Sequence, residues 1–169
     1  RNEGRTRNGS PPDEHHEKYS TLVEQSSDGI VVVQDREYVF VNDRFTEITG
    51  YDRENLLGRQ FDEVFTPAYR DLVRERYRQR VAGESPPDHY DVEIESATGE
   101  VHALSLAVSR IDHEGEPATM ATFRDVTARK RRERAVRALQ EATDRMQNAE
   151  TAETVAEIAV ETAREALDL

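Results

Sequence analysis

"VNDRFTEITGYDRENLLGR", Val41 to Arg59, is the stretch on which the reading of this chain turns. It holds two short helical turns in succession, each with its own start and stop. Asn42–Asp43 opens the first, because a short polar side chain at a helix N-terminus accepts bonds from N–H groups that have no partner within the helix. Phe45 and Ile48 lie three apart and face inward. Gly50 ends the turn, since glycine enters the left-handed conformation without a steric penalty. "DRENLLG" repeats the design, with Asp52 as cap and Gly58 as stop. From sequence alone the Asn42 side chain has two readings, a ligand contact or the cap of the helix that begins at Asp43.

Upstream, "GIVVVQ" (29–34) and "YVFVN" (38–42) are dominated by β-branched and aromatic residues, which predicts two strands of a hairpin closed by "DRE". Before them, Tyr19, Leu22 and Val23 fall on one face of a short helix ended by Ser26–Gly29. Residues 1–16, rich in Gly, Pro, Ser and charge without apolar periodicity, predict a flexible tail. Downstream, "FDEVFTP" reads as a connector. Pro67 then opens a longer helix through Ala82, with Tyr69, Leu72, Val73, Tyr77 and Val81 on its apolar face. After Pro86–Pro87 come three strands, 89–96, 101–111 and 118–126, joined by the turns "ATGE" and "DHEGEP". The first alternates wet and dry faces. The second is fairly apolar on both, as expected of a central strand covered on both sides.

From Thr127 onward there is neither Gly nor Pro, only helical pattern. Val136, Leu139, Thr143 and Met146 fit a heptad seam, which predicts a dimer, although Arg129 and Arg132 occupy the same seam further back. Asn148–Thr151 reads as a break. A second amphipathic helix follows, with Val155, Ile158, Ala159, Thr162, Ala166 and Leu167 on one face and nothing to pack against.

The bulk composition removes several functions. Of 169 residues, 35 are acidic and 23 basic, for a formal charge of −12. A field of that sign repels phosphate backbones and anionic lipid, so neither nucleic acid nor membrane is an expected partner, despite the basic run "FRDVTARKRRER" (123–134). Lys18 and Lys130 are the only lysines, and abundant Asp and Glu with so little Lys resembles proteins of salt-loving microbes. There is no cysteine, hence no disulfide, thiolate catalysis or Cys-based metal site. With no apolar run of membrane-spanning length and no signal peptide, the expected location is cytoplasmic. The five histidines have no metal-ligand spacing, and no nucleophile–base motif or phosphate-binding loop is present, so neither metal binding nor catalysis is expected.

Two strands, short helices, one longer helix, three strands and an exiting helix, with "VN-x-x-F-x-x-ITGY" early and Asp125-Val126-Thr127 late, resemble a PAS domain over residues 17–128. The resemblance implies an α+β fold. In it, a five-stranded antiparallel sheet of order 2-1-5-4-3 and flanking helices enclose a small pocket. It further implies a sensory module that binds a small organic ligand or a partner, and passes the change through a linker helix, residues 129–148, to a downstream domain. A ligand-free dimerisation module of a regulator is the alternative. Residues 149–169 are similar to the opening of a GAF domain, as found after PAS units in archaeal regulators. A histidine-kinase helix would need a phosphoacceptor His, and none lies beyond His113.

What fills such a pocket differs within the family. A LOV-type flavin adduct is excluded by the absence of cysteine, and the tryptophan on which redox flavin binding commonly leans is also missing. Sensor haem usually takes a His from the long helix. Residues 67–83 contain none, leaving only unusual ligation through His89 or His102. The candidate pocket residues are Phe45, Ile48, Phe61, Phe65, Leu72, Tyr77, Tyr90, Val92, Leu104, Leu106 and Met120, with simple core packing as their other reading. Tyr77 and Tyr90 are its polar handles, since a buried phenol needs a partner. Asp125 and Thr127 are the expected coupling residues, with Arg129 or Arg132 as charge partners.

Overall fold

The computed structural model describes residues 21–147 and 152–167. The predicted tail, Tyr19 and the predicted break at 148–151 lie outside the described residues. Two compact units emerge, Arg1–Asp125 and Val126–Leu169.

In the first unit five strands form one antiparallel sheet: β1 (Gly29–Gln34), β2 (Glu37–Val41), β3 (His89–Glu95), β4 (Val101–His113) and β5 (Glu116–Asp125). Their order is β2-β1-β5-β4-β3, as the resemblance implies, so the first and last strands pair at the middle. The centre is β5, while β4, read from its composition as central, lies between β5 and β3.

Both hairpins that feed the middle of the sheet close through two-residue turns with positive φ at both positions. These are Asp35 and Arg36 (50° and 70°) and Glu114 and Gly115 (55° and 85°). Such turns match the right-handed twist of the flanking strands. The second explains why the turn expected over six residues shrinks to two, extending β4 and β5 toward each other. Arg36 lacks glycine's freedom and is held from outside the hairpin. Its N–H donates to the Tyr77 hydroxyl at 3.1 Å, and its carbonyl accepts from the Phe61 N–H at 2.9 Å.

Between β2 and β3 the chain forms α1 (Asp43–Thr49), α2 (Arg53–Leu56), a 3-10 turn (Phe61–Val64) within the expected connector, and α3 (Pro67–Val81). Asn42 is fully buried and caps α1. Its Oδ1 accepts from Phe45 N–H (3.1 Å) and Ile30 N–H (2.8 Å), while its Nδ2 donates to the carbonyls of Val23 (2.9 Å) and Asp28 (3.1 Å). Gly29 permits this junction to close: a Cβ there would meet the Cα of Phe45 at 3.2 Å.

Alternation along the strands sets the core. Leu104, Leu106 and Val108 of β4 and Ala121 and Phe123 of β5 are buried on one face, whereas Ala103, Ser105, Ala107, Met120 and Thr122 are half-buried on the other. Phe45 packs between Tyr38 and Phe123, with ring centroids 5.5 and 4.8 Å away. The predicted apolar face of α3 needs correction. Leu72 and Val81 are exposed, and Val73, Tyr77 and Arg80, spaced four and three apart, turn toward the sheet.

In the second unit α4 (Thr127–Gln147) and α5 (Ala152–Leu167) pack on each other through Ala142, Ile158 and Thr162, and Arg145 pairs with Glu161 at 2.9 Å. So α5 does have something to pack against. The predicted seam is divided: Met146 is half-buried, while Val136 and Leu139 are exposed.

Candidate functional site

Between α3 and the sheet lies a cavity of about 30 Å³. Space of that size suits a ligand of a few heavy atoms, far from the ~300–1,000 Å³ that surrounds a drug-sized molecule. The sheet contributes Val31 and Val33 of β1, Tyr38 of β2, Tyr90 of β3, Leu106 and Val108 of β4, and Thr119, Ala121 and Phe123 of β5. Phe61 and Phe65 close one side, and Val73, Tyr77 and Arg80 of α3 form the lid.

The three phenols in this wall are in different states. The Tyr38 hydroxyl donates to the Phe61 carbonyl at 2.9 Å, and burial pushes its pKa far above the ordinary tyrosine range. The Tyr77 hydroxyl accepts the Arg36 N–H, and its ring lies 4.9 Å from that of Phe61. Its polar tip therefore meets the protein itself. Burial raises the Tyr90 pKa too, opposed by the adjacent Arg80 and Arg76 guanidinium groups. Arg76 stacks over the Tyr90 ring, 3.9 Å from its centroid. Arg80 is only 4 % exposed; its Nη2 donates to the Pro87 carbonyl at 2.9 Å and stands 3.5 Å from the Asp88 carboxylate.

Of the residues singled out in the sequence, Phe61, Phe65, Tyr77, Tyr90 and Leu106 line the cavity. Phe45, Ile48, Val92 and Leu104 are buried core outside its wall. Leu72 is 38 % exposed and faces away. Met120 lies on the opposite face of β5, because the period of two sends Thr119 and Ala121 inward. Asn42 has all four hydrogen-bonding positions filled, so the capping reading holds.

Sequence reasoning missed Arg80, since arginine is so seldom buried that it reads as surface. It also missed the small residues of β1 and β5, whose strand pattern gave no hint of a space beside them.

At the expected coupling point β5 ends at Asp125 and α4 begins at Thr127, with one residue, Val126, between them. The Asp125 carboxylate is 3.5 Å from Nδ1 of His102, whose Nε2 is 3.9 Å from Glu100. Arg129 pairs with Glu133 at 3.2 Å, and Arg132 is exposed. Among the described residues no cluster of His, Asp or Glu is arranged to hold a metal ion, and no helix is long and apolar enough to cross a membrane.

A family model described as "PAS fold" matches residues 17–126. No curated protein matches the chain. Among solved structures, the PAS domain of an HTR-like protein from Haloarcula marismortui is 27% identical with a TM-score of 0.57, covering 67% of this chain and 93% of that one. The PAS domain of a LuxR-family transcriptional regulator from Burkholderia thailandensis, solved in complex with ethanol, is 27% identical with a TM-score of 0.52, covering 64% and 96%. A PAS domain from Colwellia psychrerythraea shares the fold at 14% identity, with a TM-score of 0.60 and coverage of 68% and 98%. The strand order, the α1 cap and the matched span agree, and this chain belongs to the PAS family.

Proposed function

We propose that this chain is a sensory, signal-transducing module whose cavity beneath α3 takes a small ligand, and whose α4 carries the resulting change onward to an output domain. The mostly apolar cavity carries this reading. The ethanol complex of the Burkholderia thailandensis relative supports it, because a two-carbon ligand is of the size that this space admits. The module acts by binding and not by catalysis, in keeping with a wall of apolar side chains and phenols that the protein already holds or buries. Asp125 and Thr127, at the two sides of a one-residue junction, are the coupling positions. The acidic surface and the Haloarcula marismortui relative favour a salt-adapted, cytoplasmic regulator as the parent protein, with residues 149–169 opening a GAF-like domain. A thermal-shift and native mass-spectrometry panel of two- to four-carbon molecules tests the site. At least one is expected to bind and stabilise the wild-type chain, and a panel without any binder would overturn the reading.

The exposure of Val136 and Leu139, 48 % and 55 %, favours a second role in self-association, since apolar side chains in that position are covered in a paired helix. The wild-type chain is expected to sediment as a dimer and Leu139→Glu to shift it toward monomer. Equal sedimentation of the two proteins would exclude α4 as the contact.

A further inference from the structure

The polar groups of the cavity are unevenly placed. Val31, Val33, Val73, Val108 and Ala121 make most of the wall apolar, and positive charge gathers where α3 faces β3. Arg80 is 4 % exposed, and its partners are the Pro87 carbonyl, the Asp88 carboxylate at 3.5 Å, whose own side chain is 70% exposed, and the Tyr90 side chain. A guanidinium carries five N–H donors, and a charge taken out of water needs close compensation. One turn away, Arg76 has a buried Nη1 without a hydrogen-bond partner among the described residues. Tyr90, in the cavity wall, lies against both arginines. In a chain of net charge −12, a buried cation in the wall of an apolar cavity, with a second cation next to it that leaves a buried nitrogen unpartnered, calls for an anionic head with an apolar body.

We infer that the cavity selects a short-chain monocarboxylate, its carboxylate toward Arg80 and Tyr90 and its alkyl tail among the valines. This deepens the proposed function and rests on the cavity being the sensing site. The small volume limits the tail to a few carbons. An inorganic anion would satisfy the arginine and leave the apolar part of the space unfilled.

Solution NMR of the full chain at constant potassium chloride, titrated separately with propionate, 1-propanol and phosphate, tests the assignment. Propionate is expected to bind about tenfold or more tightly than 1-propanol, the scale of a charge-assisted hydrogen bond. It is also expected to move the Arg80 Nε–Hε signal of the wild-type protein, which 1-propanol leaves in place. Arg80→Gln is expected to bring propionate down to the affinity of 1-propanol without altering the latter. Should that variant fail to fold, the wild-type Nε–Hε signal and Tyr90→Phe, expected to weaken propionate alone, still decide. If 1-propanol binds as well as propionate, the carboxylate assignment falls and the sensing cavity stands. Phosphate binding as tightly as propionate overturns the assignment as well. If neither organic probe binds, the carboxylate assignment fails, and the cavity reading fails with it when the two- to four-carbon panel is also without a binder.

Discussion

Asn42 uses two acceptor and two donor positions to tie α1, the start of β1 and the carbonyls of Val23 and Asp28 into one buried knot. Asn42→Ala would leave four backbone groups without that partner, and the expected loss is about 3 kcal/mol or more, read as a fall in the urea midpoint. A change below about 1 kcal/mol would mean that water replaces the amide. Tyr38 gives a pH signature. Its ordinary pKa is 10.0, and burial raises the folded-state value well above it. Below pH 10 the phenol is protonated in both states and its contribution is complete. As pH rises past 10 only the unfolded chain ionises, so stability falls toward the folded-state pKa. Urea midpoints across that range should decline less steeply in Tyr38→Phe, which at neutral pH loses about 1 kcal/mol with the bond to Phe61. Parallel declines would contradict this. Asn42 was half legible in the sequence, since its position before Asp43 marks a cap, but its second and third tethers are non-local. Arg80 was not legible at all, because nothing near it in the chain says that α3 turns it inward.

The strands were readable because β-branched alternation is local, and α1 because cap, apolar pair and glycine lie within nine residues, Asn42 to Gly50. Helix α3 was harder. Leu72 and Val73 differ by about 100° around a helix, and composition could not choose which of them faces the sheet. The structure chooses Val73, and Tyr77 and Arg80 follow from its phase. Turn length was missed for a related reason: "DHEGEP" looks like a loop, yet only Glu114 and Gly115 leave the ladder. Glu114 has a φ of 55°, a conformation that asparagine tolerates better. Glu114→Asn should therefore stabilise the domain by about 0.5 kcal/mol in urea melts, and a destabilised variant would show that Glu114 makes a needed contact.

Across the whole chain, 35 acidic against 23 basic residues make self-repulsion a standing cost. Molar salt shortens the screening length to about 3 Å and relieves it. The urea midpoint should rise as potassium chloride goes from dilute to molar, whereas an unchanged midpoint would show that local pairs such as Arg74–Asp62 and Arg124–Asp28 already balance the field. Strand order became legible only through the family resemblance, since pairing β1 with β5 joins residues some ninety positions apart, such as Gly29 and Phe123. A single residue, Val126, separates β5 from α4 along the chain. Beyond it α4 runs for 21 residues without Gly or Pro, so it is one uninterrupted helix. Within the helix, each residue added rotates the face beyond it by about 100° about the helix axis, and seven bring it back to within about 20°. If α4 relays the change as proposed, output should survive a seven-residue insertion in it better than an insertion of two or three.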